Sequence, residues 1–83
     1  MANISPTALS SIASLVDREW GTHGYTFTSV EGHPRRSVLA EVAHADGSRF
    51  WVGSTEYGNT VSADAREDAS RLLNARIRVE ARP

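Results

Sequence analysis

Apolar side chains fall at Leu9, Ile12, Ala13, Val16 and Trp20, the spacing of one helix face, while Asp17, Arg18 and Glu19 lie mostly on the other. Ser5-Pro6 ahead of this run is a helix start, because Ser caps free N–H groups and Pro is tolerated in the first turn. Gly21 and Gly24 end the helix, since Gly takes left-handed angles at little cost. From Tyr25 the period changes to two. Tyr25, Phe27 and Ser29 alternate with Thr26, Thr28 and Val30, which predicts a strand over 25–30. Residues 31–36 read as a loop. Runs over 38–45 and 49–55 flank Asp46-Gly47 and predict a hairpin, because a two-residue type I′ turn needs positive φ at both central positions. Such a turn sets Val42 opposite Trp51 and Ala43 opposite Phe50. One sheet face then carries Val38, Ala40, Val42 and Trp51, and the other carries Leu39, Ala43, Phe50 and Val52.

Residues 56–60 read as a polar loop. Thr60 or Ser62 can cap a second helix, and Asp64 favours its positive end. Ala65, Ala69, Leu72, Leu73 and Arg76 or Ile77 share a face, which predicts a helix to about residue 75. Beyond Asn74, Ile77 and Val79 alternate with Arg76, Arg78 and Glu80, a pattern that also suits a short extra C-terminal strand. The expected fold is α+β in the order αβββα, with two helices packed on one face of a three-stranded antiparallel sheet. The 83 residues are expected to form a single domain, with its core over about 5–75 and a tail over 76–83.

Over residues 5–74 this order resembles the double-stranded-RNA-binding domain. Ser5-Pro6 looks like that family's helix start, and Leu9 falls where its first apolar anchor lies. Tyr25 opens the first strand at about the family's distance from the Pro. Glu31-Gly32-His33-Pro34 resembles the loop that the family places in the RNA minor groove. Val38-Leu39-Ala40-Glu41-Val42 is similar to its second strand, and Ala65-Arg66 with Ala69 to its Ala-rich second helix. The resemblance implies RNA binding through His33, Arg35, Arg36 and Arg66. The chemistry departs from the family where its second helix opens with a lysine cluster that holds phosphates. Here only Arg66 is cationic, among Asp64, Glu67 and Asp68. Each lost phosphate contact removes roughly 0.9 from the log–log salt slope, so RNA affinity is expected to be weak.

Composition narrows the picture further. Nine basic residues, all Arg, stand against ten acidic ones for a formal charge of −1, whereas generic nucleic-acid binders are basic. The chain has no Cys, so disulfides and thiolate–metal sites are excluded. His23, His33 and His44 form no helical i, i+4 pair, and neither a metal nor a cofactor is expected. There is no Gly-x-Ser-x-Gly elbow and no phosphate-cradling Gly-Lys-Ser/Thr, so an enzyme is not expected. No apolar run nears the ~20 residues of a membrane span. Met1 to Ser5 lacks a basic start and a long apolar stretch, so no signal peptide is expected and a cytoplasmic setting is.

A non-catalytic protein-binding module remains. Helices on one sheet face would leave the other face in water, and exposed apolar patches mark contact sites. The expected docking residues are Trp51, Phe50, Val52 and Leu39 on the hairpin, with His33, Arg35 and Arg36 in the 31–36 loop. The expected partner is a larger protein or nucleoprotein complex, met as an adaptor or inhibitor. A phage-type antagonist such as an anti-CRISPR is a role open to so small a domain, though no residue singles it out. Weak double-stranded RNA binding is the alternative. A strand over 76–81 would also offer an edge to a second copy, making a homodimer.

Overall fold

The computed structural model describes residues 3–82. The signal-peptide reading of Met1 to Ser5 falls partly on Met1 and Ala2, outside the described residues. Among the described residues two helices and four strands follow one another as α1 (Pro6–Trp20), β1 (Tyr25–His33), β2 (Ser37–His44), β3 (Arg49–Ser54), β4 (Thr60–Ala63) and α2 (Arg66–Glu80). The strands form one antiparallel meander in the order β1-β2-β3-β4.

Ser5 starts α1 as its sequence implies. Its Oγ accepts the Thr7 N–H at 3.2 Å and donates to the Glu56 carbonyl at 3.1 Å, and its own N–H donates to the Arg36 carbonyl at 3.0 Å. Gly21 ends the helix at φ 87°, its N–H donating to the Asp17 carbonyl at 2.9 Å. The buried stripe is Ala8, Ile12, Leu15 and Val16. Leu9, the expected anchor, is instead 42% exposed, because the small Ala8 lies against the sheet in its place.

Three boundaries differ from the sequence reading. β1 continues through Glu31-Gly32-His33, which pair with Leu39, Val38 and Ser37, so the loop shrinks to Pro34–Arg36. Residues 60–63 form a fourth strand instead of a helix cap, and it pairs with β3 from Trp51↔Ala63 to Ser54↔Thr60. α2 runs unbroken past Asn74 to Glu80, so 76–81 supplies no strand edge. Ile77 packs against the sheet, and the Glu80 carboxylate accepts hydrogen bonds from the Thr55 hydroxyl and the Asn59 side-chain amide, which fixes the helical end.

The central hairpin is also one residue out of the expected register. The His44 N–H donates to the Ser48 carbonyl and the Gly47 N–H to the His44 carbonyl, both at 2.9 Å, with Gly47 at φ 95°. This is a three-residue loop with Gly in the left-handed position, not a two-residue turn. Val42 therefore faces Phe50, and Glu41 faces Trp51. A one-residue slip moves every side chain of the partner strand to the opposite face.

That slip decides the layering. Val38, Ala40, Val42, Phe50 and Val52 share one face and pack with the α1 stripe. Leu39 and Val61 lie on the other face with Ala69 and Leu73 of α2, bordered by Trp51, Ala63 and Ile77. The helices thus cover opposite faces of a four-stranded sheet, correcting the expected arrangement of two helices on one face of three strands. Leu72 of α2, expected inside, is 47% exposed. Each fully buried Leu or Ile contributes about 1.5–3 kcal/mol relative to exposure, so a small chain gains from using both faces.

Candidate partner-binding site

With both faces covered, the expected greasy hairpin patch is not available. Leu39 and Val52 are fully buried and Phe50 retains only 7% of its surface, so all three are core residues. Phe50 lies beneath Trp20, their rings stacked at 4.0 Å. Trp51 is half-buried beside the α2 cluster, and the Arg66 guanidinium stands 5.9 Å from its ring centre. Its surroundings make it a wall of the α2 layer.

Arg66 is not a free cation either. It forms a two-pronged pair with Glu31, Nε to Oε2 at 3.0 Å and Nη2 to Oε1 at 2.6 Å. The hydrogen bonds from Arg66 hold the Glu31 carboxyl below its ordinary value and push the guanidinium value up in turn. The pair straps the start of α2 across β1. His33 lies further along the same strand, with Nε2 2.8 Å from Asn74 Oδ1. A carboxamide oxygen only accepts, so Nε2 carries the proton and donates. This bond ties the end of β1 to the middle of α2. The four side chains expected to meet RNA are therefore divided: Arg66 and His33 brace the fold, and Arg35 and Arg36 stand free.

The turn that carries Arg35 and Arg36 has an unusual backbone. Arg35 and Arg36 have φ of 57° and 59°, and the Ser37 N–H donates to the Pro34 carbonyl at 3.3 Å. Left-handed angles at both central positions make this a type I′ turn, a geometry that Asn and Gly accept readily and Arg does not. A residue with a Cβ gives up roughly 1–2 kcal/mol in that region. Both arginines are exposed. Among the described residues, neither guanidinium has a hydrogen-bond or ion-pair partner. The β1–β2 pairing, which runs up to His33↔Ser37, and the Ser5 N–H bond to the Arg36 carbonyl hold the turn in place.

One further arginine lies on the same side of α2 as the residue that meets β1. Asn74 faces His33, and Arg78 lies one helical turn beyond Asn74. Arg78 is exposed. Sequence reasoning missed it because the 76–81 pattern fitted strand and helix equally. The site is thus Arg35 and Arg36 on the turn at one end of the sheet, beside β1, with Arg78 exposed on α2. That strand is an outer one, nine residues long, with Val30 47% exposed. Its one carboxylate, Glu31, is already paired with Arg66. Its one irregularity is a bulge between Phe27 and Ser29.

Comparison of the chain with known protein families, curated proteins and solved structures yields no match. Among the described residues no helix is long and apolar enough to cross a membrane, and no group of His, Asp and Glu is placed to hold a metal ion.

Proposed function

We propose that this protein is a non-catalytic protein-binding module, an adaptor or inhibitor that docks on an acidic surface of a larger protein through its arginine-bearing end. The observation that carries this reading is the Pro34–Arg36 turn. Two exposed arginines occupy backbone positions that suit Asn and Gly. Backbone strain of this kind persists at sites of function, where a side chain's chemistry outweighs its conformational cost. Planar guanidinium groups match carboxylates two-prong to two-prong, and Arg is favoured at contact hot spots. The bare outer edge of β1 beside the turn offers main-chain hydrogen bonds to the same partner. A phosphate backbone is the other anion that such a turn fits, but with Arg66 committed to Glu31 the basic track is short.

The test compares the protein with the variant Arg35→Asn/Arg36→Gly, which keeps the turn geometry and removes both charges. Each is used as bait in nuclease-treated extract of the native host. The wild type is expected to retain a protein that the variant loses, and to give no shift with a ~20-base-pair RNA at low salt, a length that covers the ~16 base pairs one RNA-binding domain spans. Capture that disappears with nuclease, or that the variant retains in full, would overturn the proposal.

A further inference from the structure

The opposite end of the molecule carries a second site of different chemistry. A cleft of about 250 Å³ opens between Trp20 at the end of α1 and the β4–α2 junction, lined by Trp20, Phe50, Ser62, Ala63 and Asp64. Trp20 is 38% exposed and is held by its stack on the buried Phe50, rings 26° from parallel. The indole is therefore fixed before any partner arrives. Asp64 is exposed on the cleft's rim and has no cationic partner among the described residues.

The surrounding charge is acidic. Trp20 ends α1, whose carbonyl end carries partial negative charge, and Glu19 precedes it. On the far side Glu67 and Asp68 occupy the first turn of α2 and offset the positive end of that helix, Asp68 being paired with Arg71 at 3.0 Å. The arginines close in sequence to its lining residues are directed elsewhere. Arg49 pairs with Glu41 at 3.5 Å. Arg66 is bonded to Glu31, and Arg18 lines a separate groove along α1 with Thr7, Ser11 and Ser14. An aromatic face beside an unpaired carboxylate is an arrangement that attracts a cation twice, by the ring quadrupole and by charge.

We infer that the Trp20–Asp64 cleft receives an arginine side chain from a partner protein, with its guanidinium over the Trp20 ring and against the Asp64 carboxylate. This goes beyond the proposed function and does not depend on it, since the two sites lie at opposite ends of the sheet. A protein touching both ends would have to offer acidic groups at one and a basic group at the other.

The probe is acetyl-arginine amide, with acetyl-citrulline amide as its neutral counterpart, titrated into the isotope-labelled full chain at low salt. The Trp20 indole N–H is followed by nuclear magnetic resonance, assigned against Trp51. A saturable shift of Trp20 with the arginine probe, absent with citrulline, is expected. Asp64→Asn, a surface change that leaves Trp20 stacked, is expected to weaken the arginine response about five-fold, the scale of one exposed charge pair. Equal responses to the two probes, no saturable response, or an arginine response unchanged in Asp64→Asn would overturn the inference. Sedimentation at rising protein concentration completes the test. Self-association lost in Asp64→Asn would give the cleft to a second copy of this chain and overturn its assignment to a different protein.

Discussion

The two hairpins that share β2 are built to opposite specifications. The β2–β3 hairpin is enclosed, with Val42 and Phe50 paired beneath α1 and Leu39 beneath α2. Its turn is relaxed. Gly47 occupies the left-handed position, and the Asp46 carboxylate accepts the Ser48 N–H at 2.8 Å and the Ser48 hydroxyl at 2.6 Å. Those bonds hold the Asp46 carboxyl below its ordinary value. The β1–β2 hairpin has an outer strand whose side chains alternate between half-buried and exposed. Its turn sets two arginines where Asn and Gly would be easier. Stability is concentrated in the first hairpin, and exposed chemistry in the second.

The largest expected effect tests the enclosed hairpin. Phe50→Ala should cost about 3–4 kcal/mol, because it removes a buried ring and leaves a cavity under Trp20. Phe27→Ala, at a partly buried position on β1, should cost about 1–2 kcal/mol. Equal losses in denaturant unfolding would erase the distinction between the hairpins. Next comes the turn. Arg35→Asn/Arg36→Gly should stabilise the fold by about 2–3 kcal/mol, raising Tm by ~10 °C, if left-handed arginine costs what it does elsewhere. An unchanged Tm would mean that the turn stores no strain.

The smallest effect concerns pH. Glu31 titrates below its ordinary value in the folded chain, so the unfolded chain binds more protons in the interval between. Its contribution is therefore present above about pH 4.3 and is lost as pH falls through the folded value. The pair is substantially exposed, so solvent screening keeps its contribution small. Glu31→Gln should lower Tm slightly at pH 7, and by progressively less as pH falls through the folded value. A difference that grows on acidification would contradict the sign.

Much of this frame is visible in the chain itself, and the failures have physical causes. Ser5-Pro6 and Gly21 mark α1 by local rules that no tertiary contact overrides. Asp46-Gly47 locates a hairpin but not its register, because Gly suits both the two-residue turn and the left-handed position of a three-residue loop. That ambiguity set Phe50 and Val52 on the face of Leu39, and the expectation that both helices cover one face made that face a docking surface. β4 has four residues and one buried apolar side chain, Val61, too little for periodicity to register. The turn at Arg35-Arg36 was legible as a loop. Its handedness was not, since Arg carries no preference for positive φ, and the partners of His33 and Arg66 are 41 and 35 residues away.

Ser5 joins three segments at the arginine-bearing end. Its amide holds the turn through the Arg36 carbonyl, its hydroxyl oxygen starts α1 through Thr7, and the same hydroxyl bonds Glu56 in the β3–β4 loop. These segments are therefore expected to open to solvent as one unit, exchanging their amide hydrogens for deuterium together. A partner that grips only the turn would slow exchange at Thr7 and around Glu56, so protection mapped by deuterium uptake will outline a footprint wider than the true area of contact.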